Sequence, residues 1–458
     1  MALAAPPEPA PPATGDATGE VPTVLSAAGL NPAVQRARTQ TKQLTDAVRG
    51  RVDEESTSAQ PTPSPTTAPA AARRIASIAL ARPTTRLFVS PRGDDGNPGT
   101  ESAPVRSINR AAAMARPGTQ VVVGDGTYTG SVKTEVNGTA SARIAFVAAT
   151  RGAAKVVGDT SEDHAWTNSG DYVDIVGFDV SGPNGDGLTT SGSYARIVDN
   201  RVHGFAGNCI STANDGYDLH DIDVIGNRAY GCGRNALDHG IYVSHPGGVV
   251  ANNIAFGNAG YGIHCWHNCN KLTISNNLVF DNSEGGIVVG QGDGPNNGSV
   301  AADHFVVSNN IAVGNGRNGI KESGTTGRNN RFLNNLMWQN GNDRIGLDTG
   351  SETGTRVTDP GFMNFRPDGT GDYRLRPGSP AIGTGVELGA PTTDIVGNPR
   401  SLTGRVDIGV FQHDAAASGA DAARNSAPTT ATENEHSDSR PASGVDDSAS
   451  VEEHRHSR

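Results

Sequence analysis

The most regular pattern in the chain is an apolar, variable, apolar triplet that is followed by a short turn and an asparagine. Six copies align at spacings of 27, 26, 24, 33 and 25 residues, on Asn200, Asn227, Asn253, Asn277, Asn310 and Asn335. A second column lies five residues later, at Asn258, Asn282, Asn315 and Asn340, and Cys232 takes that position in the copy before them. A period of this size indicates a repeat architecture.

The segments between these columns read as short strands, such as GIYVSH, GIHCWH and GIKESG. The period is too short for a propeller blade and lacks the leucine-rich consensus, but it fits one coil of a parallel β-helix, whose coils stack about 4.8 Å apart. We therefore predict an all-β, single-stranded parallel β-helix. The asparagines are interpreted as scaffold: they hydrogen-bond along the column and take the left-handed backbone of a bend.

The two ends of the chain lack this pattern. Residues 1–85 are rich in Ala, Pro and Thr, and residues 414–458 form an acidic tail. Such segments bury too little apolar surface to offset the entropy of ordering, so both are predicted to be disordered. The β-helix domain is predicted over residues 86–413. The N-terminus is too Pro-rich for a signal-peptide core, so no leader is visible in this chain.

Composition and charge narrow the class of protein. The chain has 59 glycines, and only 35% of its residues are hydrophobic and 5% aromatic, which suits a chain that bends often around a narrow interior. A helical bundle and a collagen are excluded, and no apolar run approaches the ~18 residues of a membrane span. The net charge of −11 argues against a nucleic-acid partner.

Two segments resemble a known superfamily. Residues 87–130, LFVSPRGDDGNPGTESAPVRSINRAAAMARPGTQVVVGDGTYTG, look like the N-terminal cap and first coil of pectate-lyase-like right-handed parallel β-helix proteins. Residues 359–412, from DPGFMNF to DIGVFQ, are similar to the C-terminal cap of many of them. The resemblance implies a right-handed helix with capped ends, a covering helix near residues 104–116, and a polysaccharide groove along the exposed strands. The superfamily includes lyases, epimerases, hydrolases, esterases and binding proteins, so the reaction is less defined.

The strand register predicts which side chains face outward. In pairs such as Gly240-Ile241 and Gly262-Ile263 the branched residue points inward, so the next residue points out. From coil to coil this outward column reads Thr189, Ser211, Tyr242, His264, Val288, Lys321 and Gly346. The next outward column includes Trp266 and Asp348, and the turn beyond it carries Asn214, His245, His267 and Gln291. An ordinary exposed sheet carries Thr, Ser, Asn and Lys, so this concentration of His, Tyr and Trp marks a working face.

In the uronic-acid lyases of the superfamily a cation neutralises the carboxylate, a base removes the C5 proton, and an acid protonates the leaving oxygen. Tyr242, His264 and Lys321 supply these chemical types and are the candidate catalytic residues. Trp266 is expected to form a platform for a sugar ring. Further substrate contacts are predicted at His245, His267, Asn214, His239 and Asp348. The alternative for each residue is an ordinary surface or cross-coil side chain.

Metal and cysteine chemistry are left open. The histidines lack zinc-ligand spacing, so no metal ligand is assigned. The acidic loop at Asp215, Asp218 and Asp221 either holds Ca²⁺ through oxygen ligands or consists of solvated turn carboxylates, and the second interpretation is favoured. Ca²⁺ is therefore the one candidate cofactor, and none is assigned. Strict alternation points Glu322 inward, which requires a bulge or a buried partner. The pairs Cys209–Cys232 and Cys265–Cys269 are disulfides in an oxidising compartment or small buried fillers.

The leading hypothesis is a polysaccharide lyase that cleaves a uronic-acid-containing glycan by β-elimination, with a C5-epimerase as its chemical sibling. A glycoside hydrolase that uses Glu322, Asp348 or Asp238 is the second hypothesis. A non-catalytic glycan-binding surface protein is the third. In each case we expect a secreted or wall-associated monomer that does not insert into a membrane.

Overall fold

The computed structural model describes residues 75–76, 80–160, 162–213, 218–292, 301–401 and 406–413. Contacts group all of them in the unit Ala70–Arg458. The predicted disordered segments 1–85 and 414–458 lie outside the described residues, apart from 75–76 and 80–85. Within the described ranges no helix is long and apolar enough to cross a membrane.

The architecture is the predicted parallel β-helix, because each coil crosses three sheets in turn and neighbouring coils pair in parallel. The eleven-stranded sheet contains β1 Thr85–Val89, β2 Thr119–Val123, β5 Ile144–Ala148, β8 Val173–Val176, β11 Arg196–Val198, β14 Asp223–Ile225, β17 Val249–Ala251, β20 Thr273–Ser275, β23 Val306–Ser308, β26 Arg331–Leu333 and β28 Ser351–Thr353. The ten-stranded sheet contains β3 Gly126–Thr129, β6 Ala154–Val157, β9 Asp179–Ser181, β12 Arg201–His203, β15 Arg228–Tyr230, β18 Ile254–Phe256, β21 Leu278–Phe280, β24 Ile311–Val313, β27 Leu336–Trp338 and β29 Arg356–Val357. The eight-stranded sheet contains β4 Val132–Thr134, β7 His164–Asn168, β10 Asp186–Thr190, β13 Ile210–Thr212, β16 Ile241–Val243, β19 Tyr261–Cys265, β22 Gly285–Gln291 and β25 Ile320–Gly324.

The two asparagine columns form hydrogen-bonded ladders. In the first ladder each Nδ2 donates to Oδ1 of the asparagine one coil on, at 2.9–3.1 Å. In the second ladder the same bonds are 2.8–2.9 Å long. The Nδ2 groups also donate to backbone carbonyls, as from Asn277 to Val250. The scaffold interpretation is confirmed, because each buried amide hydrogen-bonds to the next coil and also pairs a backbone carbonyl group.

We expected the ladder asparagine to take the left-handed backbone of each bend. In the structure the residue before it does so. Positive φ angles occur at Asp199, Gly226, Asn252, Asn276, Asn309 and Asn334 ahead of the first ladder. Ahead of the second ladder they occur at Gly231, Gly257, Asp281, Gly314 and Gln339. The ladder residue itself must keep a backbone that turns its amide inward, so the residue before it makes the bend.

The second ladder also explains the repeated glycine before the inward isoleucine. A Cβ at Gly240 or Gly262 would lie 2.6 or 2.8 Å from Nδ2 of Asn258 or Asn282. One coil before the ladder, Cys209 takes the glycine position and Cys232 the asparagine position, and the two form a disulfide. The backbone N–H of Cys232 donates to Oδ1 of Asn258, so the bridge closes the end of the ladder.

The N-terminal cap helix is confirmed as α1, Ile108–Met114, with Ser107 as its N-cap. Ile108, Ala111 and Ala112 are buried and join the core of the coils. The helix contacts β1 and β2 of the eleven-stranded sheet and β4, the first strand of the eight-stranded sheet. It therefore covers the first coil.

The C-terminal segment, expected as an end cap, packs along the side of the coils. It contains the antiparallel pair β30 Phe362–Asn364 and β31 Asp372–Leu375. Its Tyr373 ring lies 5.0 Å from that of Phe280. Phe280 belongs to an outer stack in which successive ring centroids are 4.8 Å apart, formed by His203, Tyr230, Phe256 and Phe280. This apolar outer face of the ten-stranded sheet is what the segment buries.

Candidate functional site

The outer face of the eight-stranded sheet carries the predicted column in the predicted register. Ser211 pairs with Tyr242, Tyr242 with His264, and His264 with Val288. Val288 then pairs with Lys321, which bridges to Gly346. The isoleucines before these residues are buried, so alternation places the column outside. His264 and Lys321 stand two strands apart, or about 9.6 Å between backbones.

His264 lies at the centre of an aromatic cluster. Its ring centroid is 5.6 Å from Tyr242, 5.3 Å from Tyr261 and 5.3 Å from Trp266. Burial holds the pKa of His264 well below its ordinary value, and the nearby charges of His239, His267 and Lys321 lower it further. The imidazole is therefore neutral near pH 7.

His239 lies beneath this cluster and not on its surface, since only 2% of the residue is exposed. Its Nε2 is 2.5 Å from Nδ1 of His264. Its Nδ1 accepts the backbone N–H of Tyr261 at 3.1 Å. Burial lowers the pKa of His239 to about 3. A direct substrate contact, as predicted for His239, stays a prediction that this placement does not favour.

Lys321 provides the positive charge of the face. Its Nζ lies 5.6 Å from the centroid of the Tyr261 ring, a cation–π contact. Lys321 has no carboxylate partner in the described ranges. An ammonium held by a ring and not by a carboxylate remains free to attract an anion.

Trp266 is partly exposed beside His264, and its indole lies against the next coil. A Cβ at Gly290 or Gly292 would lie 2.6 or 2.2 Å from that indole, so glycine is required for the ring to settle there. The Cys265–Cys269 disulfide closes the turn that carries Trp266 and His267. His267 lies at this turn with its ring 6.2 Å from Tyr242.

The remaining predicted substrate contacts do not join this cluster. His245 is 0% exposed, and burial lowers its pKa to about 4. Its Nε2 is buried and has no hydrogen-bond partner among the residues that the structure describes. Asp348 is exposed on the coil after Lys321. Asn214 lies outside the described residues. Their contacts with substrate stay untested predictions.

Glu322 points inward, as alternation predicts, and it has buried partners. Its carboxylate accepts hydrogen bonds from Nδ2 of Asn330 at 2.7 Å and from three successive backbone N–H groups at 2.7–2.9 Å, those of Asp348, Thr349 and Gly350. Glu322 therefore organises the turn that carries Asp348. A carboxylate in this position does not flank the groove.

Ca²⁺ has little support from the acidic loop. Asp215 is outside the described residues, and Asp221 is exposed and paired with His220 at 3.2 Å. In the described part of the chain no three His, Cys, Asp or Glu side chains group to hold a metal ion.

Tyr261 is the member of the cluster that the sequence reasoning missed. Strict alternation from Ile263 points it inward, but a Cβ on Gly262 would meet Asn282 and Val279, so Gly262 faces inward together with Ile263. Two consecutive inward residues turn Tyr261 outward at the start of β19. The glycine that precedes each inward isoleucine was the available signal.

The coils, the end-capping helix and the outward column define a right-handed parallel β-helix protein of the pectate-lyase type. Residues 87–351 match the Pel9A-like right-handed β-helix region, which is more than half of the chain, and the protein belongs to that family. A search of curated proteins finds no match.

The fold is shared with a solved pectate lyase. The chain is similar to the crystal structure of pectate lyase Pel9A, with a TM-score of 0.56 and 19% identity over 73% of this chain and 98% of that one. It also resembles the A-module of the mannuronan C-5 epimerase AlgE4 of Azotobacter vinelandii, with a TM-score of 0.43 and 14% identity over 58% of this chain and 76% of that one. An alginate lyase from Paenibacillus has a TM-score of 0.37 and 17% identity over 60% of this chain and 95% of that one.

Proposed function

We propose that this chain is an extracellular polysaccharide lyase that cleaves a uronic-acid-containing glycan by β-elimination. The observation that carries the proposal is the column Tyr242, His264 and Lys321, which stands in register on one face with Trp266 beside it. Membership of the Pel9A-like family makes a polysaccharide the expected substrate class.

Lys321 is the group that neutralises the uronate carboxylate. Its ammonium lies over the Tyr261 ring in a partly desolvated position, where an ion pair is stronger than in water. Neutralising the carboxylate stabilises the charge that develops when the C5 proton leaves. The backbones of His264 and Lys321 are roughly 10 Å apart, a distance that suits one sugar residue lying across the face between the two side chains.

Proton transfer and charge stabilisation fall to Tyr242 and His264. One proton leaves C5, and one proton must reach the glycosidic oxygen as the C4–O bond breaks. If the proton returns to C5 from the opposite face instead, the bond stays intact and the product is an epimer. The shared first step makes a C5-epimerase the sibling activity.

Two cystine bridges support an oxidising location for the protein. Cys209–Cys232 and Cys265–Cys269 are both formed, and such bridges persist mainly outside the cytosol. Polysaccharide substrates lie outside the cell as well, so secretion or wall association fits both observations.

The test is incubation of the purified chain with pectin, alginate and glycosaminoglycans while the ultraviolet absorbance of an unsaturated uronate is followed. A rise on one of them that disappears in Lys321→Met supports the lyase. New reducing ends without that absorbance would select a hydrolase. Binding without any product would leave the face as a glycan-binding surface.

A further inference from the structure

We propose that His239 is a positioning residue that holds His264 in the tautomer with its proton on Nε2, so that the groove meets a neutral N–H donor. The proposal rests on the proposed function for its catalytic meaning, but the tautomer is a property of the protein without substrate. His239 is buried and acts by orienting His264, and it does not contact the glycan.

The hydrogen-bond chain starts at a backbone group whose direction is fixed. The N–H of Tyr261 can only donate, and its acceptor at 3.1 Å is Nδ1 of His239. That nitrogen therefore carries a lone pair. A neutral imidazole has one N–H, so the proton of His239 is on Nε2.

The second link transmits this choice to His264. Nε2 of His239 faces Nδ1 of His264 at 2.5 Å, and one proton must lie between the two nitrogens. Because His239 supplies it, Nδ1 of His264 is the acceptor. The proton of His264 is then on its own Nε2.

Burial removes the alternative in which either ring is a cation. His239 is buried against the rings of Tyr242, Tyr261 and His264. His264 is in turn enclosed by Tyr242, Tyr261 and Trp266. The charges that face His264 are Lys321 on β25 and His267 at the next turn, and both oppose a positive imidazole. The arrangement that remains is a neutral pair in which His239 donates and His264 accepts.

The groove side of His264 is open for a ligand. Its Nε2 has no hydrogen-bond partner in the described ranges, and the residue is partly exposed on the outer face. A neutral N–H at this position suits an oxygen of the glycan that gains negative charge, such as a uronate carboxylate oxygen. It does not suit removal of the C5 proton, because the lone pair needed for that step is occupied at Nδ1. Of the predicted catalytic groups, Tyr242 is left for that step, because Lys321 neutralises the carboxylate as a cation.

The experiment is ¹⁵N NMR of histidine-labelled protein without substrate, in which two-bond couplings distinguish the two tautomers. The His264 signal is assigned by its loss in His264→Gln. We expect the Nε2–H pattern from pH 8 to pH 5, with no conversion to imidazolium. An Nδ1–H pattern, or a titration near the ordinary value of about 6.5, overturns the proposal.

Two substitutions at His239 separate positioning from packing. The amide of His239→Gln can accept from Tyr261 and donate to His264, so the Nε2–H pattern is retained. His239→Met fills space but makes neither bond, so His264 should show both tautomers and a pKa closer to its ordinary value. His203→Gln, on the ten-stranded sheet, is the matched control and should leave the His264 signal unchanged. An unaltered His264 pattern in a folded His239→Met protein contradicts the proposal, and if that variant does not fold, the wild-type tautomer decides alone.

Kinetics on an identified glycan complete the test. His239→Met should lower kcat by about 10- to 100-fold with KM nearly unchanged, since an orienting partner is lost but the groove is not. His239→Gln should recover most of that loss. A confirmed tautomer with no activity on any glycan would disprove the proposed function and leave the His239–His264 assignment standing.

Discussion

The molecule carries two kinds of polar column, the asparagine ladders at the bends and the outward column of the eight-stranded sheet. In the ladders the same residue recurs on each coil, is buried, and has its amide oxygen and nitrogen bonded to neighbouring coils. In the outward column the residue changes from coil to coil, and Lys321 and the Nε2 of His264 face outward without a protein hydrogen-bond partner in the described ranges.

The difference separates polar groups that hold the coils from polar groups available to a ligand. A buried amide that has all its partners has nothing left to offer a substrate. A side chain that interrupts the repeat gives no packing advantage to the stack and needs another explanation. In this fold, loss of periodicity is therefore a better signal of chemistry than residue type alone.

The largest effect is expected at Lys321. Lys321→Met should lower kcat by about 10³-fold, because the charge that neutralises the substrate carboxylate is lost. The free energy of unfolding should change by less than about 1 kcal/mol, the value of one cation–π contact. Initial rates of unsaturated product and urea unfolding measure the two quantities. Lys133→Met, on the same sheet and paired with Glu162, is the control that should keep full activity. Equal loss in both variants would remove Lys321 from the site.

A ladder substitution should show the opposite pattern. Asn277→Ala removes an amide that accepts twice from Asn253 and donates to Val250 and Asn310. It leaves buried partners unpaired, so the free energy of unfolding should fall by about 2–4 kcal/mol. The remaining folded protein should keep its kcat. Asn364→Ala, at an exposed position, should cost less than about 0.5 kcal/mol. A small loss in Asn277→Ala would contradict the interpretation of the ladders as scaffold.

Acid should weaken the fold through its buried histidines. The pKa of His239 is lowered to about 3 and that of His245 to about 4, against an ordinary value of 6.5. Between the folded and the unfolded pKa of each histidine, the unfolded chain binds more protons than the folded chain. The free energy of unfolding therefore falls as the pH drops below about 6.5. Each histidine contributes up to about 1.4 kcal/mol per pH unit. Urea midpoints at pH 7, 6 and 5 measure the slope, and His245→Gln should reduce it. An unchanged slope in His245→Gln would show that this residue is charged or exposed.

The smallest effect is expected at Trp266. Trp266→Ala should raise KM by about 5- to 10-fold, which is the loss of one stacking contact with a sugar ring. The value of kcat should stay within about threefold, since the indole binds and does not transfer protons. Trp338→Ala on the ten-stranded sheet is the control and should leave KM unchanged. Equal KM values for Trp266→Ala and the native protein would assign the indole to packing against Gly290 and Gly292.

The sequence was sufficient for the fold and for the register of the site. The asparagine spacing predicted the coils, and the position of the inward isoleucines placed Tyr242, His264 and Lys321 in one column. Both follow from local rules, since each needs only the alternation of a strand and the constant distance between coils.

The burial of side chains at turns and the backbone geometry of corners were not predictable from these local rules. His239 and His245 are buried because of how neighbouring turns close over them, and no alternation rule describes a turn. Tyr261 was missed because Gly262 and Ile263 both face inward at a corner. The C-terminal segment lies along the side because the outer aromatic stack needs covering, a requirement that is evident only once His203, Tyr230, Phe256 and Phe280 are known to stack.

The left-handed residue in front of each ladder asparagine has a consequence for how such proteins diversify. Each corner is specified by two adjacent residues, one for the bend and one for the amide. The two corners of a coil are five residues apart, but the chain from the second corner to the first corner of the next coil varies in length. The coil between Asn277 and Asn310 is 33 residues long, while its neighbours have 24 and 25. The Nδ2 and the backbone N–H of Asn277 nevertheless donate to Oδ1 of Asn310 at 2.9 and 3.0 Å. The chain between the second corner of one coil and the first corner of the next can therefore be lengthened or exchanged while the corners keep the stack in place.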